Sequence, residues 1–362
     1  ARGALQLGIL FAVLYGLVSL FGASRLIGFF KLNSPEVIAQ AEWYVRIACG
    51  LVIFSYLNAI LTGLLTAAGN SRTPFIVNVA GLVFNVVLDP VLIFGIGPFP
   101  ELGVSGAAAA TVTAQALVSL LFFKAVLREK VLFPHLRLWV LVPVKVWREI
   151  VRIGVPSAVQ NLIYAGISMI LTRLITGWGD LAVAAQRVGS QIESVSWMVG
   201  DGFSAAVNAF LGQNYGAKRY DRVRRGYFCA IAMTAAWGLC TTFLLIGMAR
   251  LLFSIFLQEE EVMAIGVNYL RIVGLSQMFM MVEQTSIGAF SGLGRTLYPS
   301  IVSVTFTSAR IPVAVLLSSV MGLSGIWWAL SISSMVKGCI LFVSFVVFLY
   351  VFLERKKDEK TV

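Results

Sequence analysis

GLVFNVVLDPVLIFGIG (residues 81–97) is apolar enough to enter a bilayer, yet it holds Asn85 and, four residues on, Asp89, with Pro90 directly after the acid. A charged side chain at the centre of a membrane helix costs at least about 2.5 kcal/mol and ordinarily faces a cavity or a partner. Two readings of the run are open. Either Asp-Pro ends the span and leaves Asp89 among the outer headgroups, or the helix continues and the acid is buried for a purpose.

Hydrophobic residues make up 59% of the 362 and charged residues 12%, with a mean hydropathy of +0.88. A soluble domain of this size needs more charge to cover its surface. Apolar stretches near 20 residues long mark transmembrane helices, so the chain reads as an all-α polytopic membrane protein in the lipid bilayer. The net charge is +11, but the bases gather in short segments between apolar runs, as membrane orientation requires. Nucleic-acid binding is therefore not expected. Cys49, Cys229, Cys240 and Cys339 all fall inside apolar runs and resemble neither a disulfide framework nor a metal cluster.

Apolar windows predict ten spans, near 4–30, 38–67, 74–96, 103–123, 151–177, 181–211, 227–256, 263–291, 299–320 and 323–353. Ten spans put both ends on one side. Lys124, Arg128, Lys130, Arg137, Lys145, Arg148 and Arg152 cluster in one alternate loop, and Lys218, Arg219, Arg222, Arg224 and Arg225 in the next. Arg72, Arg295 and the tail ERKKDEK lie on the same side, while an opposite loop reads Glu259-Glu260-Glu261. By the positive-inside rule both termini are expected in the cytoplasm, with the chain crossing the inner (plasma) membrane many times.

An internal repeat runs beneath the spans. At a shift of 225 residues Val37 meets Val262, Tyr44 meets Tyr269, Arg46 meets Arg271, Gly63 meets Gly288, Gly69 meets Gly294 and Pro74 meets Pro299. Further on, LGVSGAAAA (102–110) answers MGLSGIWWA (321–329). Both copies begin on the cytoplasmic side, which makes this a parallel repeat about an axis along the membrane normal. Residues 131–223 have no partner and contain two spans. The expected plan is thus two six-span lobes with ten helices present of twelve, about 90 residues being absent ahead of Ala1. The parts are a first lobe at 1–130 (helices 3–6, incomplete), a cytoplasmic linker at 131–150, a second lobe at 151–356 (helices 7–12) and a cytoplasmic tail at 357–362. In so incomplete a lobe, small-residue surfaces such as GAAAAT (106–111) are expected to face lipid or solvent.

Several segments resemble the multidrug and toxic compound extrusion (MATE) family of cation-coupled antiporters. They are GLLTAAGNSRTPFIVN (63–78), NVVLDPVLIFGIGPFPELGVSGAAAAT (85–111), AVAAQRVGSQIESVSWMVGDGFSAAVNAFLGQNYGA (182–217) and SIGAFSGLGRTLYPSIVS (286–303). The similarity covers nearly the whole chain and is greatest to the DinF-like prokaryotic branch. It implies a two-lobe bundle of twelve helices, and export of organic cations or drugs in exchange for entering Na+ or H+. It implies no other cofactor and a monomer. The opening run then becomes interpretable. Asn85 and Asp89 share a helix face, and Pro90 has no amide hydrogen for the carbonyl of Val86. Three such oxygens suit a hard cation. The resemblance assigns the pair, together with Thr111, to the coupling-ion site, Na+ or a proton. A further aspartate on the first helix would fall outside this sequence.

Other polar residues lie inside spans. Glu283 reads as a cavity acid attracting cationic drugs or as a packing residue. The coupling carboxylate of the NorM-like branch aligns instead with Met280. Arg310 occupies the repeat position of Asn85, with Ala314 at that of Asp89, and reads either as the partner of Glu283 or as a substrate contact. Tyr44 matches a tyrosine near the first-lobe ion network, although its repeat partner Tyr269 suggests packing equally well. Gln115, Gln160, Asn161 and Gln191 are candidates for the cavity wall or for joining helices, as membrane amides commonly do. Glu193 and Asp201, eight apart on one span, read as packing more readily than as a proton path.

An enzyme is not expected. The single histidine, His135, sits in the linker, and no motif brings nucleophile, base and metal ligands together at depth. The strongest competing function comes from the same superfamily, the lipid-linked oligosaccharide flippases, whose basic cavities Arg310 would suit.

Overall fold

The computed structural model describes residues 1–28, 34–128, 140–257 and 259–353, and every regular element among them is helical. A chain in lipid must satisfy its backbone groups internally, and helices do so within one segment. The all-α polytopic expectation holds.

Two compact units divide the chain, Ala1–Ile150 and Val151–Val362. The first contains α1 (Arg2–Gly28), α2 (Pro35–Tyr44), a π-helical turn (Val45–Cys49), α3 (Ile53–Ala67), α4 (Arg72–Phe94) and α5 (Gly103–Arg128). The second is built from α6 (Val144–Thr176), α7 (Asp180–Gly216), α8 (Tyr220–Gly247), the short α9 (Ala249–Ser254), α10 (Glu260–Gly274), α11 (Gln277–Gly292), α12 (Leu297–Ser308), α13 (Arg310–Met321) and α14 (Leu323–Phe348). A closing π-helical turn spans Leu349–Leu353.

Among the described residues eight helices are long and apolar enough to cross a membrane, or nine if the pair α10–α11, bent by 49°, is one span. The remaining predicted span, α7, is 37 residues long but carries Asp180, Arg187, Glu193 and Asp201, and so falls outside that apolar set. Helix α6 begins at Val144, earlier than the predicted 151, so residues 144–150 of the predicted linker are helical. Their charges made them read as a loop, whereas a membrane helix can run on past the hydrocarbon. The rest of the linker, with Lys130, Arg137 and His135, and the tail 357–362 lie outside the described residues.

The repeat is visible element by element. Helices α1, α2, α3, α4 and α5 find their counterparts in α8, α10, α11, the α12–α13 pair and α14. Both copies close a helix in the same way. Gly69 and Gly294 take left-handed backbones (φ 90 and 71), and the amides of Asn70 and Arg295 reach back to the carbonyls of Leu65 and Phe290, each at 2.9 Å. That is a Schellman-type cap, in which glycine meets no steric penalty. The next helix then starts within a few residues, at Arg72 and Leu297.

Packing follows small residues. Helix α7 meets α11 where Gly288 lies on Ser204, Gly292 on Asn208 and Gly212 on Gly292. Glycines four apart bring two membrane helices close. In the first unit Gly106, Ala108 and Ala110 are buried, Gly106 lying against the backbone of Leu92 on α4. Of the GAAAAT stretch, Gly106, Ala108 and Ala110 are therefore covered rather than facing lipid or solvent, while Thr111 at its end is exposed. The small side chains of this stretch are what let α5 approach α4.

Candidate functional site

In the first unit α4 runs unbroken through Pro90 to Phe94, so Asp-Pro does not end the helix. The Asn85 side-chain amide donates to Asp89 Oδ1 at 3.2 Å, and both residues are half-buried. This bond uses the amide hydrogens of Asn85, leaving its carbonyl oxygen, the second carboxylate oxygen of Asp89 and the Val86 carbonyl as acceptors on one stretch of helix. Thr111 is an exposed residue on α5. Tyr44 ends α2 and is 40% exposed. A cleft of about 350 Å³ in this unit lies among Thr62, Thr66, Pro74 and Asn78 and includes none of the four predicted residues Tyr44, Asn85, Asp89 and Thr111. Gln115 lines neither this cleft nor the cavity of the second unit described below. Its side-chain oxygen accepts from the Asn58 amide at 2.7 Å, and Ser119 donates to the Asn58 oxygen at 2.8 Å. These side chains join α3 to α5, as the helix-joining reading of Gln115 expects.

The second unit holds a cavity of about 670 Å³. Gln160, Glu283 and Arg310 line it, with Asn161, while Gln191 is not part of its lining. The predicted Glu283–Arg310 pairing is corrected. Glu283 Oε1 lies 2.7 Å from Lys337 Nζ of α14, and both side chains are almost fully buried. Arg310 instead donates through Nε to Ser333 Oγ (3.1 Å) and through Nη2 to Ser334 Oγ (3.0 Å), and it has no ion-pair partner among the described residues. Lys337 was the missed residue. Its signal was a lone base inside the apolar run SISSMVKGCILF of α14, and in a membrane such a residue needs a partner.

Glu193 also lines this cavity, with Asp201. Three neutral donors converge on its carboxylate: Trp197 Nε1 at 3.1 Å and Gln277 Nε2 at 3.0 Å on Oε1, and the Tyr269 hydroxyl at 3.0 Å on Oε2. Reading Glu193 as a packing residue captures these bonds between α7, α10 and α11 but misses its place on the cavity wall. The Tyr164 and Trp197 rings, 5.7 Å apart, form an aromatic floor, and the Arg310 guanidinium carbon stands 6.0 Å from the Tyr164 ring. A partly open cavity with charged, amide and aromatic walls suits a small organic molecule better than a bare ion.

Comparison with known proteins places this architecture. The MatE family model matches residues 1–91 and 156–316. A probable multidrug resistance protein NorM of Thermotoga maritima is 31% identical over 317 residues, covering 83% of this chain and 66% of the relative. The probable multidrug resistance protein YoeA of Bacillus subtilis is 27% identical over 328 residues, covering 89% and 70%. The chain thus spans about two thirds of the length of these relatives. A MOP superfamily transporter from Pyrococcus furiosus has the same fold, with a TM-score of 0.88 at 20% identity over 98% of this chain and 79% of that one. Helices of both units fall within one family model, and the chain belongs to the MatE family.

Proposed function

We infer that this chain forms the transporting body of a secondary exporter. It carries small organic cations or drugs out through the plasma membrane in exchange for entering Na+ or H+, by alternating access, as a monomer with both termini of this sequence in the cytoplasm. The observation that carries the reading is the cavity of about 670 Å³ in the second unit, set among its helices and walled by carboxylates and aromatic rings. Aromatic faces and acids attract organic cations. The names of the relatives, probable multidrug resistance proteins, support the same class of cargo.

Asn85, Asp89 and Thr111 are proposed to hold the coupling ion. Exchange of a proton or Na+ at Asp89 changes the local charge, and a charge change in a low-dielectric site is large enough to bias a two-state equilibrium. A lipid-linked oligosaccharide flippase is the second reading, favoured by Arg310 and Lys337. Two bases against the three acids Glu193, Asp201 and Glu283 leave the cavity lining at a formal net charge of −1, which weighs against a pyrophosphate cargo.

The test is efflux of a cationic dye from vesicles or cells under an imposed Na+ or proton gradient, using the full-length protein. Asp89→Asn is expected to reduce gradient-driven efflux to the level of empty vesicles with normal expression. Undiminished efflux by that variant removes Asp89 from coupling, and a flipped lipid without dye export replaces the exporter reading.

A further inference from the structure

Four features of the second-unit cavity have no role in attracting an organic cation. Arg310 is a buried guanidinium whose hydrogen-bond partners are two neutral serine hydroxyls. Lys337 is a buried ammonium held by one hydrogen bond, to Glu283, although it carries three donors. Ser303 Oγ is fully buried, lines the cavity and has no hydrogen-bond partner. Thr307 lies four residues beyond Ser303, on the same face as Arg310. A hydroxyl without a partner in a dry site costs free energy, and a lone ion pair repays its desolvation only when further hydrogen bonds complete it. Around Arg310, Lys337 and Ser303 the wall presents donors beyond those their partners take up.

We propose that Arg310, Lys337 and Ser303 form a subsite for an anionic group, a carboxylate in the first instance, carried by the exported molecule, with Glu283 as a tethered stand-in that occupies Lys337 when the cavity is empty. The proposal rests on the export reading and narrows its cargo. The molecule carries an acid as well as a cationic or aromatic part. Geometry gives each part its place. Arg310 lies against one side of the Tyr164 ring, the Trp197 ring neighbours Tyr164, and Glu193 accepts from the Trp197 indole. The Arg310 guanidinium and the Glu193 carboxylate are thus linked through two neighbouring aromatic rings. The lining's net −1 accommodates a single carboxylate balanced by a positive charge and disfavours a dianion. An incoming carboxylate offers Arg310 a planar two-oxygen partner of the kind a guanidinium fork grips best. It also offers Ser303 the acceptor it lacks.

The experiment uses the full chain in lipid nanodiscs and a matched dye pair, rhodamine 110 with a free carboxylate and rhodamine 123, its methyl ester. Equilibrium dialysis gives the two affinities. Charge-assisted hydrogen bonds to the carboxylate are expected to favour the acid by about tenfold or more. Arg310→Gln is expected to bring the ratio close to one by weakening acid binding, while binding of the cationic ester is kept or tightened. Ser303→Ala, a milder change, lowers the ratio by a smaller factor. Glu283→Gln frees Lys337 and tightens acid binding alone. Equal affinity of the wild-type chain for acid and ester overturns the subsite and leaves the export reading standing. A preference that survives both Arg310→Gln and Ser303→Ala overturns it as well. Binding of neither dye overturns the subsite and the export reading together.

Discussion

The two units repeat one succession of helices and fill it with opposite chemistry. Asn58 and Glu283 stand 225 residues apart at the same place in the pattern. In the first unit Asn58 reaches across to Gln115 and Ser119 on α5 with neutral amide and hydroxyl bonds. In the second, Glu283 reaches across to Lys337 on α14, the counterpart of α5, with a buried ion pair. One helix further on, the first unit carries Asn85 and Asp89 where the second carries Arg310 and Ala314. Helix succession and caps are kept, and the polar residues have diverged. A fold of this kind separates scaffold from function cleanly, since caps and glycine contacts set the helices and a few buried side chains set what enters.

The comparison breaks most easily at the ion pair. Lys337→Met strands Glu283 in a buried site and is expected to cost about 3–5 kcal/mol, whereas the double variant Glu283→Gln/Lys337→Met recovers most of that. Denaturant unfolding in detergent reads the cycle, and equal losses in single and double variants would remove the pair from the account. Next in size is Tyr269→Phe, which deletes a hydrogen bond to the Glu193 carboxylate and is expected to cost about 1.5–3 kcal/mol. Its repeat partner sharpens the contrast, because Tyr44→Phe on the exposed copy is expected to stay within about 0.5 kcal/mol. Similar losses at both tyrosines would mean that the first unit buries Tyr44 in its working form. The smallest effect belongs to Asn58→Ala, about 1 kcal/mol, since neutral polar contacts between membrane helices are individually weak. A loss matching that of Lys337→Met would erase the distinction between neutral and charged bridges.

The spans were legible because membrane helices must be long and apolar, and the repeat because Gly69, Gly294, Pro74 and Pro299 answer fixed backbone needs. The Asn85–Asp89 contact was legible too, since residues four apart on one helix have no choice but to be neighbours. Long-range partners were not. Arg310 and Glu283 were the evident opposite charges, but Lys337 reaches Glu283 by way of α11–α14 packing that sequence periodicity does not encode. Gln115 was drawn to Asn58 by the same kind of packing. Glu193 was legible as a polar residue in a membrane helix and not as part of a cavity wall, because its three donors come from α7, α10 and α11 together.

One difference between the copies concerns the helix between Pro35 and Ala67 and its counterpart from Glu260 to Gly292. The 225-residue shift holds on both sides of the join, at Arg46 and Arg271 and again at Gly63 and Gly288. Neither copy has gained or lost a residue there. The first absorbs a loose turn as a π-helical segment at Val45–Cys49 and runs on as one 33-residue span, while the second breaks at Leu275–Ser276 and bends by 49°. The same chain length thus serves both a rod and an elbow. In the second copy the elbow sets the direction in which α11 leaves α10, and that direction is what lays Gly288 and Gly292 against the backbones of Ser204 and Asn208 on α7.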